Sequence, residues 1–183
     1  MSLSRDDVVA AAMSILDTYG LADLTMRRLA TTLGVQAGAL YWHFTNKQTL
    51  LAALADTILA DLPAPAGGDW AAAVQSWAAR LHTLLRRHRS GAELVSSVLA
   101  LRPWDDSPAR GVENLLVSAG VGADTARAAA AGVLHLVLGH TMDEEQTAQL
   151  VELGVRKDAP QDASALLDEA VALLILGVAS ATR

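Results

Sequence analysis

Between Leu24 and Asn46 the chain reads LTMRRLATTLGVQAGALYWHFTN, and no other stretch limits the fold as tightly. Met26, Leu29, Ala30 and Leu33 recur at three- and four-residue steps, the spacing that lines one face of a helix, while Arg27, Arg28, Thr31 and Thr32 fall on the other. Thr25 stands where a side-chain oxygen caps the first amides. Gly34 stops the helix, because glycine accepts the left-handed backbone that a sharp turn needs. Val35 is the apolar plug of that turn, and a second helix is expected from about Gln36 to His43, with Leu40 and Phe44 facing the core.

The exposed side of the second helix is unusual. Ala37, Gly38 and Ala39 present almost no side chain at its start, which permits close approach to a large, flat partner. Tyr41, Trp42 and His43 follow with polar-tipped rings, Trp42 half packing and half contact, and Gln36 is the one side chain near the helix start whose amide can read a base edge. Two short helices joined by a tight turn, with the second laid in the major groove and the first across the backbone, describe helix-turn-helix docking on DNA.

Charge qualifies that reading. The 183-residue chain carries a formal net charge of −6, and its first 62 residues hold four Lys/Arg against six Asp. Phosphate attraction is local, however, and is screened beyond roughly 8 Å at physiological salt. From Leu24 to Ala55 there is no acidic residue, so Arg27, Arg28 and Lys47 are expected to face phosphates without local repulsion.

The stretch Leu24 to Leu51, LTMRRLATTLGVQAGALYWHFTNKQTLL, resembles the N-terminal motif of the tetracycline-repressor (TetR) family of bacterial transcriptional regulators, without a gap. A looser similarity to the tetracycline-repressor type of C-terminal domain runs through LLRRHRSGAEL (84–94), LRP (101–103) and HLVLG (135–139). The resemblance implies that Arg27 contacts bases, Tyr41 the backbone and apolar base surface, His43 the backbone, and Lys47 a phosphate. With Thr25, Arg28, Gln36, Ala37, Gly38, Ala39 and Trp42, these residues make up the expected DNA-binding set. Because residues 37–39 offer no side-chain hydrogen bonds, specificity leans on Gln36, Arg27 and DNA shape.

The remaining sequence reads as helix throughout. Ser4 caps a helix to about Tyr19 with Val8, Val9, Ala12, Ile15 and Leu16 inward, Asp6 and Asp7 in its first turn, and Gly20 at its end. Asn46 caps another through about Ala60, and PAPAGG (63–68) marks a break in composition. Asp69 caps a long helix ending near Ser90 and Gly91, and shorter helices follow over 94–101 and 107–119. Asp124 opens a long helix rich in small residues, and after the polar stretch Val155–Asp162 an apolar helix runs from about Ala163 to Ala181. The fold class is therefore all-α: a three-helix helix-turn-helix domain over 1–47, a connecting helix over 48–62, and a helical ligand-binding and dimerisation domain over 63–183.

With 52% hydrophobic residues the chain is able to bury a core, and without cysteine it suits a reducing cytoplasm. Asp6, Asp7 and Asp17 interrupt any signal-like run, and the apolar tail Ala170–Ala179 is too short to span a bilayer, so no membrane partner is expected. Alanines and glycines at 126, 128–132 and 139 allow close helix approach, and Leu166, Leu167, Val171, Leu174, Ile175 and Val178 form a wide apolar stripe. The resemblance implies that these two helices build a four-helix interface in a homodimer, which places two reading heads about 34–36 Å apart on a palindromic operator.

Within the C-terminal part, Trp77, Leu81, Leu94, Val98, Trp104, Leu134 and Leu138 are candidates for an apolar effector cavity, with His82, Arg102 and His135 as its polar anchors. Tetracycline repressors hold a drug-bound magnesium through a histidine in the segment corresponding to 91–101 and an acidic residue after the segment like HLVLG. Here Asp143 is present but no histidine lies between Arg89 and Arg102, so a tetracycline–magnesium site is incomplete. No cofactor or resident metal is expected. The alternative, a helical-bundle metal-dependent enzyme, rests on His140 with Asp143 and Glu144 at helical spacing, yet no second such cluster, nucleophile motif or phosphate-cradling loop accompanies it. The expected function is that of a homodimeric repressor released from its operator by a small molecule, with the helix over Asn46–Ala60 as the lever.

Overall fold

The computed structural model describes residues 3–158 and 163–181, and every regular element among them is helical. The polar stretch expected over Val155–Asp162 lies outside the described residues from 159 to 162. Two compact units form, one from the residues up to Ala60 together with Leu85–Leu101, the other from Asp61–Leu84 and the chain from Arg102 onward.

In the first unit α1 (Arg5–Tyr19) begins at a reciprocal capping box. The Asp7 amide donates to Ser4 Oγ at 3.1 Å, while the Ser4 amide and hydroxyl donate to Asp7 Oδ2 at 2.9 and 2.7 Å. Those bonds favour the ionised carboxylate and hold Asp7 below the ordinary aspartate value. Helix α2 (Met26–Leu33) starts at Thr25, whose side chain accepts from the Arg28 amide at 3.1 Å, and ends at Gly34 with φ +66°. There the Gly34 and Val35 amides donate to the Thr31 and Ala30 carbonyls at 3.2 and 3.0 Å, closing a Schellman turn that only a left-handed residue completes without strain.

Helix α3 is Ala37–Tyr41, shorter than the 36–43 span its composition suggested, because Trp42 and His43 close it as a turn. Asn46 and Thr49 cap α4 (Lys47–Leu59) reciprocally. Val8, Ala12, Ile15 and Leu16 of α1 pack on α2 and on α4, with Leu29, Leu40 and Phe44 buried in the same core. Helix α6 (Gly91–Leu99) joins through α4, bringing Leu94, Val95 and Val98 into burial. Its first residue must be glycine, since a Cβ there would stand 2.3 Å from the Leu85 carbonyl oxygen. Each such buried leucine contributes about 1.5–3 kcal/mol of hydrophobic burial.

The second unit is built on the 30-residue α8 (Ala123–Glu152), which packs on both α7 (Arg110–Ser118) and α9 (Ala163–Ala181). Helix α5 (Trp70–Leu85) is capped by Asp69, whose Oδ1 accepts from the Ala71 and Ala72 amides at 2.9 and 3.3 Å. Small residues let helices close up at several of the expected positions: a Cβ on Gly132 would meet Leu174 Cδ1 at 3.2 Å, and Ala126, Ala129 and Ala130 are buried, whereas Ala128 and Gly139 are exposed and Gly139 has nothing within 4 Å of an added Cβ.

Two expectations about α9 are corrected. Of the six stripe residues, Leu167, Val171, Ile175 and Val178 are already buried within the chain, so most of the stripe is taken, and Leu166 stands exposed with Leu173 and Leu176, at 60–65%. The apolar tail is also longer than Ala170–Ala179, for Ser164–Ala181 is long and apolar enough to cross a membrane by length and composition. It nevertheless carries Asp168 and Glu169 inside that window. Gln75 Nε2 of α5 donates to the Asp168 carbonyl at 3.1 Å and to its carboxylate at 3.3 Å, fastening α9 to the bundle.

Candidate nucleic-acid interface

The α2–turn–α3 segment puts its small and polar residues outward. Gln36 precedes α3 in extended conformation and its side chain makes no capping bond, leaving the amide directed elsewhere. Gln36, Ala37 and Gly38 are exposed and Ala39 is half-buried, while Leu40 is wholly buried and anchors the helix from beneath. The start of α3 therefore offers a surface with little side chain to keep a partner at a distance. Just beyond it Tyr41 is 49% and Trp42 91% exposed, and His43 is half-buried.

Trp42 corrects the expectation of half packing. It lies about 200° around the helical sweep from Leu40 and again from Phe44, both of which point inward, so its indole has no core to enter. An apolar ring left this open in the free chain is surface available to a partner.

The cations divide into two groups. Arg27 is exposed at the start of α2 and Lys47 is half-buried beside the Asn46 cap, and among the described residues neither has an acidic partner. Arg28 differs: it is paired with the Asp23 carboxylate and lies 4.1 Å over the Tyr19 ring. Asp23 lies one residue before the acid-free stretch 24–55, so local repulsion is not absent at Arg28. Arg5, which no local pattern assigned to this surface, reaches the head from α1. Its guanidinium stacks 4.3 Å over Phe44, and its Nη1 donates to the His43 carbonyl at 3.5 Å. Only the tertiary fold brings these positions together, since they lie 38 residues apart.

The candidate effector residues scatter more widely. Trp77, Leu81, His82, Leu134 and Leu138 are buried in the second unit, and Arg102 and Trp104 are half-buried there. Val98 belongs to α6 in the first unit. His135 corrects its expected place as a polar anchor inside: it follows Leu134 on α8 and turns out to the exposed face, while Leu134 and Leu138 share the inward one. Trp104 donates its indole N–H to the Glu113 carboxylate, Arg110 pairs with Glu113 at 2.7 Å, and Arg127 lies 5.2 Å over the Trp104 ring. The Arg110 guanidinium and the indole N–H both hold Glu113 below the usual carboxylate range, and Glu113 in turn raises Arg110. Trp104 is thus committed to an ion-pair network.

A family model described as "Bacterial regulatory proteins, tetR family" matches residues 8–54, and one described as "Tetracyclin repressor-like, C-terminal domain" matches residues 62–173. The chain belongs to the TetR family. It is 34% identical to the tetracycline repressor protein class E of Escherichia coli over 86% of this chain and 76% of that protein. The crystal structure of Mycobacterium smegmatis BioQ superposes with a TM-score of 0.88 at 39% identity, covering 97% of this chain and 98% of BioQ. A BioQ structure with its double-stranded DNA operator gives 0.74 at 39% identity over 93% and 98% of the two chains. A single-substitution variant of TetR from Acinetobacter baumannii AYE, in complex with minocycline, gives 0.81 at 30% identity over 99% of each.

As a TetR-family member the chain is a DNA-binding transcriptional repressor rather than an enzyme, and the family's regulators are soluble DNA-binding proteins. Of the residues that suggested metal-dependent catalysis, His140 and Glu144 do approach one another, at 3.6 Å, whereas Asp143 is exposed.

Proposed function

We propose that this TetR-family repressor reads a palindromic operator with two copies of the α2–α3 head, held by a homodimer through α8 and α9 and released by a small-molecule effector. The observation that carries the reading is the outward face of α3 and the turn after it: bare at residues 37–39, then Tyr41 and Trp42 exposed, with Arg27 and Lys47 unpaired among the described residues. Arg27 and Gln36 contact base edges. Ala37, Gly38 and Ala39 let the backbone approach the groove floor, Tyr41 and Trp42 lie against sugar and apolar base surface, and Thr25, His43 and Lys47 contact phosphates. Arg28, paired with Asp23, acts by holding the end of α1 against α2 as well as through its remaining donors.

In this reading residues 1–47 carry recognition, 48–62 connect, and 63–183 take the effector and dimerise. Leu166, Leu173 and Leu176 supply the apolar face that a second copy covers. The effector favours dimers whose heads stand at the wrong separation, and that difference in affinity moves the population off DNA. Trp77, Leu81, His82, Arg102, Trp104, Leu134 and Leu138, all in the second unit, are the effector residues we retain. Tetracycline with magnesium is not the effector we favour, because 91–101 has no histidine. The protein works in the cytoplasm, where its operator is. Selection of bound duplexes from a random pool tests the reading: an inverted repeat is expected, and enrichment of no duplex would overturn it.

A further inference from the structure

We propose that His82, His140 and Glu144 form a binding site for one divalent transition-metal ion, independent of the operator reading. One potential ligand atom from each side chain lies within 4.8 Å of the other two. His140 and Glu144 sit one turn apart on the same face of α8, and His82 comes from α5, all within the second unit. The side chains are 9%, 15% and 13% exposed for His82, His140 and Glu144, so the three donors converge where water is largely excluded.

One feature is poorly explained by packing alone. His82 Nε2 stands 2.6 Å from Glu144 Oε2, which satisfies that pair. His140 Nε2 is shut off from solvent and has no hydrogen-bond partner, standing 3.6 Å from Glu144 Oε1. A buried ring nitrogen without a partner calls for a ligand. The two rings meet edge to face with centroids 5.9 Å apart, so both imidazoles address the same small volume.

The geometry suits a metal with modest adjustment. Bonds of about 2.0–2.2 Å in a tetrahedral site separate neighbouring donors by roughly 3.3–3.6 Å. The 2.6 Å contact opens slightly and the widest separation closes, within the reach of side-chain rotation. Two imidazoles and one carboxylate favour zinc, cobalt, nickel or iron over magnesium, and three protein donors leave at least one position for water or a chelating molecule. The bland alternative is a hydrogen bond that staples α5 to α8 with His140 merely adjacent.

Cobalt(II) titrated into the full chain without an affinity tag, followed by its visible ligand-field absorption, separates these cases. One Co²⁺ per chain is expected, displaced by Zn²⁺ and untouched by excess Mg²⁺. His140→Ala and Glu144→Gln should each weaken Co²⁺ by at least about 100-fold, while His88→Ala, a surface control, leaves it unchanged. Thermal melting of the unaltered chain supplies a readout that needs no variant: Zn²⁺ should raise Tm and Mg²⁺ should not. Absence of a Co²⁺ band, a band unaltered in both folded variants, or a Tm indifferent to Zn²⁺ would overturn the site.

Discussion

Helices α3 and α9 both leave large apolar side chains open, and they do so in opposite styles. Helix α3 and the turn after it expose Tyr41 and Trp42, rings with polar tips, beside small residues and near Arg27 and Lys47. Helix α9 exposes Leu166, Leu173 and Leu176, aliphatic groups on a helix that has no Lys or Arg at all and carries Asp168 and Glu169. A polyanion is welcome at the first surface and repelled at the second, whereas an identical aliphatic face fits the second and would gain little from the first. Exposure of apolar surface therefore does not name a partner. The charge and polarity around it do.

The contrast is most sharply broken at α9. Replacing Leu173 and Leu176 together by Glu should raise the dimer dissociation constant by more than about 100-fold, since buried interface anchors are each worth about 2 kcal/mol or more. Sedimentation equilibrium reads this directly, and operator affinity should fall with it; a dimer that survives unchanged would move the interface elsewhere. Next in size is Arg27→Ala, expected to cost about 1–3 kcal/mol of operator binding and to relax base preference at one position of each half-site. Trp42→Ala should weaken DNA binding while leaving Tm nearly unchanged, because the ring is already 91% exposed. A large drop in Tm would show that the indole packs after all.

Smaller still is Lys47→Ala, which should weaken all duplexes alike and flatten the slope of log affinity against log salt by about one unit, measured by titration at several salt concentrations. The smallest effect concerns Asp7. Its carboxyl is held below 3.8, so the stability it adds to α1 is fully present above that value and is lost as pH falls through the lower, folded value. Asp7→Asn should remove that part of the acid dependence of melting, and an identical acid profile in the two proteins would assign it to other carboxylates.

How far these surfaces were legible beforehand depends on the range of the interaction. The caps at Ser4, Thr25, Asn46 and Asp69 and the stop at Gly34 are written within four or five residues, and each stands where its residue type requires. Leu40 and Phe44 were legible as core for the same reason. Trp42 was expected half packed, although the same helical sweep that turns Leu40 and Phe44 inward turns it outward. Asp23 lies one residue before the acid-free stretch 24–55, so that stretch alone does not reveal its pair with Arg28, and Arg5 reaches His43 across 38 positions. For α9 the composition shows apolar groups on two sides but cannot say which side α8 covers. His82 and Glu144 lie 62 residues apart, so no spacing rule links them.

The central claim is that paired α2–α3 heads grip duplex DNA. The most direct measurement is the stoichiometry and affinity of the purified chain on a duplex selected from a random pool, compared with Arg27→Ala and Trp42→Ala at fixed salt. The account predicts two chains per inverted repeat and weaker binding by both variants, each still dimeric and folded. One chain per site, or affinity indifferent to both substitutions, would contradict it.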